Sequence, residues 1–90
     1  EKGLAARWGG EEFLMAVCDC TKSDAFALAE LIRQEIEYHE FVYLDHKFRM
    51  TLSVGVATMN ESTPLHDAIT LADDRLYSAK RAGRNQVRAK

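Results

Sequence analysis

The sequence holds one proline and five glycines in 90 residues. That is too few for a collagenous chain or for Pro/Gly-rich disorder. No apolar run approaches the ~20 residues of a membrane-spanning helix. No basic-then-apolar leader of the secretory kind opens the chain, so this segment is expected to make no direct membrane contact. Neither sign of charge dominates. Twelve Lys and Arg stand against fourteen Asp and Glu, for a net charge of −2. This argues against general attraction to nucleic acid or anionic lipid, so any basic site must be local. Cysteine is nearly absent. Cys18 and Cys20 are two apart on a strand-like segment, so they point to the same face in a geometry that suits a disulfide poorly. No second Cys or His pair stands at a zinc-site spacing. Both are read as reduced thiols of a cytoplasmic protein. Internal repeats, low-complexity tracts and Ser/Pro linkers are also missing. A chain that begins at Glu1 rather than Met reads as a fragment or a processed piece.

What is present is a globular balance, 47% hydrophobic and 29% charged, enough for one small domain or part of a larger one. Leu4 to Trp8 is a short apolar segment, and Gly9-Gly10 is a hairpin-type turn signal. Glu11 to Asp19 reads as a strand that is apolar on both faces from Phe13 to Cys18, the pattern of a covered strand. Thr21, Ser23 and Asp24 are helix-start residues. Leu28, Ile32 and Ile36, joined by Ala25 and Ala29, give one apolar helical face ending near Tyr38. Phe41 to Leu44 is a short strand or a buried connection. From Phe48 to Ala57 large apolar residues alternate with small or polar ones, which predicts one strand of period two. Ser62-Thr63-Pro64 predicts a hydroxyl cap with Pro in the first turn of a second helix. Its buried stripe is Leu65, Ala68, Ile69, Ala72, Leu76 and Ala79, and Gly83 is the stop. Gln86 to Ala89 closes the chain as a last strand. Hairpins mixed with helices predict an α+β fold: an antiparallel-rich sheet with helices packed on it.

Three groups of residues bear on chemistry. The first is Gly9-Gly10-Glu11-Glu12. Glycines at a turn let a ligand approach the backbone and leave amides for an anion. Carboxylates beside them are hard oxygen donors suited to Mg²⁺. A tight hairpin with two solvated glutamates explains the same tetrad without a ligand. The second is Lys80, Arg81 and Arg84. Cations at a helix C-terminus complement the helix dipole, yet a point charge at Lys80 and a guanidinium fork at Arg84, four residues on, also suit a polyphosphate. The third is Asp73 and Asp74, for which a structural role is expected. His39, His46 and His66 share no spacing and are read as surface residues.

RWGGEEF, then TLSVGVA at Thr51 to Ala57, then ADDRLYSAKRAGRNQV at Ala72 to Val87, resemble the GGDEF domain of diguanylate cyclases in block order and spacing. The resemblance spans essentially all of residues 1–90, as the C-terminal portion of that domain from signature hairpin to final strand. It implies a palm-like nucleotide cyclase fold. It also implies condensation of two GTP into cyclic di-GMP with release of pyrophosphate, each half of a homodimer presenting one GTP. By resemblance Gly9 and Gly10 pass close to the nucleotide. Glu11 binds Mg²⁺ or Mn²⁺ and acts near the attacking 3′-hydroxyl, Glu12 is a further metal-site carboxylate, and Lys80 and Arg84 contact phosphates. The family's domain is longer at its N-terminus, where a further metal-binding acid and the guanine-reading residues belong. The 90-residue chain alone is therefore expected to be inactive. The family's product-inhibition pair would place its Asp at about Gly3 and its Arg before Glu1, so that site is expected to be missing here.

Two other readings compete. One is a degenerate GGDEF domain that binds GTP or cyclic di-GMP and regulates a partner; the intact tetrad weighs against it. The other is a dimerisation module whose glycines only make a turn, and the presence of both Lys80 and Arg84 weighs against that.

Overall fold

The computed structural model describes residues 3–8, 14–18, 21–59 and 64–90. Two strands, β1 (Gly3–Trp8) and β2 (Leu14–Cys18), pair antiparallel from Gly3 opposite Cys18 to Arg7 opposite Leu14. Helix α1 (Lys22–Tyr38) follows, then a small hairpin of β3 (Phe41–Tyr43) and β4 (His46–Phe48). Strand β5 (Val54–Met59), helix α2 (Leu65–Arg81) and strand β6 (Val87–Arg88) complete the order. The main sheet runs β2-β1-β5-β6; β5 is antiparallel to β1 and parallel to β6. This is the expected α+β, antiparallel-rich architecture.

Helix α1 starts where its sequence allows a reciprocal cap. The Thr21 hydroxyl accepts from the Asp24 amide at 3.1 Å, and the Asp24 carboxylate accepts from the Thr21 amide. Two amide donors that a helix start would leave unpaired are thereby used. Thr21, not Ser23, is the cap. The buried seam of α1 is Ala25 and Ala29, with Ile32 partly buried beside them. Leu28 lies off that seam and is 40% exposed.

Strand β5 lies between the two helices. Val54 and Val56 are fully buried and pack with Ala25, Ala29 and Val87 on the α1 side. Burial of each valine stabilises the fold by roughly 1.5–3 kcal/mol. Gly55 points the other way, as alternation along a strand requires, and meets the backbone of α2 at Ala72 and Leu76. The stripe of α2 facing the sheet is Ala68, Ala72, Leu76 and Ala79, all buried. Small residues on both sides let helix and strand backbones approach.

Three local expectations change. The strand predicted from Phe48 to Ala57 is divided, because His46–Phe48 pairs back onto β3 while the ladder of β5 begins only at Val54. Leu44 and Asp45 sit at φ 49° and 66°, the pair of left-handed residues that a two-residue hairpin turn demands. Phe48 stacks on Phe41 with ring centres 5.6 Å apart; it and Met50 are each 44% exposed rather than in the main core. At the start of α2 the cap residue is Pro64, with no side-chain cap bond. Its carbonyl accepts from the Asp67 and Ala68 amides at 3.1 and 3.2 Å. Ser62 and Thr63, expected as the hydroxyl cap, lie outside the described residues. Leu65, expected in the stripe, is exposed.

Candidate functional site

The last turn of α2 is built to stop. Ala82 closes the helix, Gly83 takes φ 118°, and the Arg84 amide reaches back to the Ala79 carbonyl at 2.9 Å. This is the six-to-one closure of a Schellman turn, with glycine at the left-handed position. Arg84 and Asn85 continue with φ 63° and 48°. Left-handed backbone costs a residue other than glycine ~1–2 kcal/mol, with Asn among the more tolerant. Arg84 is therefore not on the helical face that carries Lys80. A four-residue spacing aligns two side chains only while a helix continues, and α2 ends at Arg81, before the stop expected at Gly83.

Lys80 lies on α2 and lines a cavity of about 280 Å³. Among the described residues its other walls are Asp73, Leu76 and Tyr77, one face of the helix by their spacing. Asp73 also pairs with Arg7 Nε at 3.0 Å. This ion pair ties the end of β1, two residues before Gly9, to the cavity wall that bears Lys80. Arg81 is engaged with Tyr77: its guanidinium lies 5.6 Å over the Tyr77 ring, and its Nη1 donates to the Tyr77 hydroxyl at 3.2 Å. A larger, mostly apolar cavity of about 440 Å³ lies between Phe26 of α1 and the 87–90 segment; of the described site residues, neither Lys80 nor Arg84 lines it.

Gly9, Gly10, Glu11 and Glu12 lie outside the described residues. Among the described residues no cluster of three His, Cys, Asp or Glu side chains could hold a metal ion. His39, His46 and His66 are exposed. No described helix is long and apolar enough to cross a membrane.

Several polar residues that hold this end of the fold carried no functional signal in the sequence. Arg33 of α1 donates from Nη1 to Asn85 Oδ1 at 2.8 Å and to Glu37 at 3.0 Å. Its Nε bonds Glu30 at 2.5 Å. Asn85 Nδ2 donates to Glu37 at 2.7 Å, and the Asn85 amide donates to the buried Ser53 hydroxyl at 3.1 Å. The Arg33 hydrogen bond holds the Glu30 carboxyl below the usual carboxylate range, and the Glu30 bond raises Arg33 in turn. On α2, Arg75 Nη1 donates to the Val56 carbonyl at 2.6 Å, and burial lowers its pKa. An Asn directly after Gly-Arg was the one available hint, since Asn tolerates left-handed backbone.

The family model described as diguanylate cyclase, GGDEF domain, matches residues 1–86. The chain belongs to the GGDEF domain family. It is 38% identical over 84 residues to diguanylate cyclase A of Treponema denticola, covering 92% of this chain and 23% of that protein. It is 35% identical over 92 residues to the probable diguanylate cyclase DgcF of Escherichia coli, covering 97% and 29%. The chain thus spans about a quarter of these relatives' length. Among solved structures, the GGDEF domain of DgcB from Caulobacter crescentus in complex with c-di-GMP superposes with a TM-score of 0.82 at 32% identity, over 90% of this chain and 48% of that one. The FimX GGDEF domain from Pseudomonas aeruginosa superposes at 0.84 with 19% identity, over 98% and 81%, a likeness of fold. The palm-like cyclase fold implied by the sequence blocks is the fold observed.

Proposed function

We propose that residues 1–90 are the C-terminal portion of the catalytic domain of a cytoplasmic diguanylate cyclase, acting as a homodimer that turns two GTP into cyclic di-GMP. Each 3′-oxygen bonds to the α-phosphorus of the facing GTP while that phosphorus loses its bond to pyrophosphate. Glu11 receives the hydroxyl proton, Gly9 and Gly10 allow the nucleotide close to the backbone, and Lys80 and Arg84 hold phosphate oxygens. Glu11 and Glu12 have the hard oxygen donors that Mg²⁺ or Mn²⁺ prefers, and such an ion supplies charge compensation for the triphosphate.

The observation that carries the reading is the Arg7–Asp73 ion pair. It joins the strand running into the Gly-Gly-Glu-Glu tetrad to the helix face of Lys80, so that two sequence blocks about seventy residues apart converge. Incubating the full-length protein with GTP and Mg²⁺ should yield cyclic di-GMP and pyrophosphate on chromatography, and Glu11→Gln should abolish turnover. The amide is nearly isosteric but is a weak ligand for a hard cation and no base. GTP bound without turnover would favour the regulatory binding module, and no binding would reject both readings.

A further inference from the structure

Arg84 stands in left-handed backbone immediately before Asn85, which is held by three residues from two distant parts of the chain. Its side-chain oxygen accepts from Arg33 and its side-chain nitrogen donates to Glu37, both on α1. Its amide donates to Ser53, just before β5. Arg33 and Glu37 also bond each other at 3.0 Å, closing a ring of three side chains. Gln86 adds bonds from Nε2 to the carbonyls of Ala82 and Arg84 at 3.3 and 3.1 Å. Arg33 is only 13% exposed at its side chain, and charge-assisted bonds with little solvent competition are the strong kind.

From this we infer that Arg33, Glu37 and Asn85 form a clamp that positions Arg84 for triphosphate binding. The inference rests on the assignment of Arg84 as a phosphate ligand. A helix that merely ended at Gly83 would leave the next residue free to sample extended backbone, the cheaper state for any residue but glycine. Anchoring Asn85 to α1 and Ser53 holds Arg84 at φ 63° and fixes the root of its side chain relative to α2. With its backbone already fixed, Arg84 loses less conformational freedom on meeting phosphate. The three clamp residues are positioning residues, since they act on the nucleotide only through Arg84.

A double-mutant cycle in the full-length protein tests this, with the Kd for GTP read by calorimetry and kcat and KM by product formation. Arg84→Gln should weaken GTP binding by about tenfold or more. Asn85→Ala should weaken it severalfold, raising KM more than it lowers kcat. In the Arg84→Gln background, Asn85→Ala should add almost nothing. Asn85→Gly, which tolerates left-handed backbone without strain but loses the side-chain bonds, should behave like Asn85→Ala. Arg33→Met, which has no donor for Asn85 or Glu37, should reproduce part of the loss. Additive losses for Arg84→Gln and Asn85→Ala would show that the cluster is structural only and overturn the inference while leaving Arg84 a ligand. An Arg84→Gln protein that binds GTP normally would overturn the ligand assignment itself, and the clamp with it.

Discussion

Gly55 of β5 lies directly beneath the Ala72 carbonyl of α2, so close that a Cβ at position 55 would fall within the backbone of Ala72 and Leu76. Neither backbone can yield without shifting a helix or a central strand. Gly55→Ala should therefore destabilise the fold by about 3 kcal/mol, the upper part of the usual overpacking range. Chemical denaturation of wild type and variant measures this; a loss below about 0.5 kcal/mol would mean that the helix stands further from the strand than described.

The Thr21–Asp24 capping box should contribute measurably to α1. Thr21→Ala removes the oxygen that accepts from the Asp24 amide and should cost about 1 kcal/mol. Amide exchange should speed up most in the first turn of α1, with the second half of the helix much less affected.

Lys80 and Arg84, if they hold phosphates, should matter more to GTP than to folding. Lys80→Met and Arg84→Gln should each weaken GTP binding by ~1.5–3 kcal/mol, the worth of a charge-assisted bond, and weaken GMP binding less, because fewer phosphate charges are present. Cations at a helix end contribute only ~0.3–1 kcal/mol to stability. Arg81→Gln is the control, since its guanidinium is engaged with Tyr77 on its own helix. Titration of GMP and GTP against each variant decides the matter; equal losses for the two nucleotides would favour simple dipole compensation.

Glu30 gives a pH dependence of known sign. Its carboxyl titrates below the usual range in the fold because Arg33 hydrogen-bonds the charged form. The stability it contributes is present above the unfolded-state pKa and is lost as pH falls through the lower folded-state value. Both carboxylate oxygens bond Arg33, but the side chain is 30% exposed, so solvent screening keeps the effect small. Denaturation midpoints measured downward from neutral pH should fall more steeply in wild type than in Glu30→Gln, the difference opening as pH falls from the ordinary, unfolded-state carboxylate value toward the lower folded-state one. Parallel slopes would show that the Arg33 pair is not maintained.

Features that lie within a few residues or repeat with a fixed period are legible from the order of residues. The Thr21-x-x-Asp24 start of α1, the Ala68, Ala72, Leu76, Ala79 seam of α2, the Gly83 stop and the alternation of β5 all depend on neighbours at most one or two turns away. The family blocks RWGGEEF and AKRAGRN were equally legible. Tertiary structure alone decided the rest. The alternation from Phe48 to Ala57 is a valid strand pattern throughout, and only the pairing of His46–Phe48 onto β3 divides it. Asn85 meets Arg33 across 52 residues of chain, a contact with no local trace because it forms only when α1 and the end of α2 are brought together on β5 and β6. Local hydrogen bonds and side-chain periodicity are written residue by residue; which strand edge or helix end meets which is chosen by the burial of the whole sheet at once.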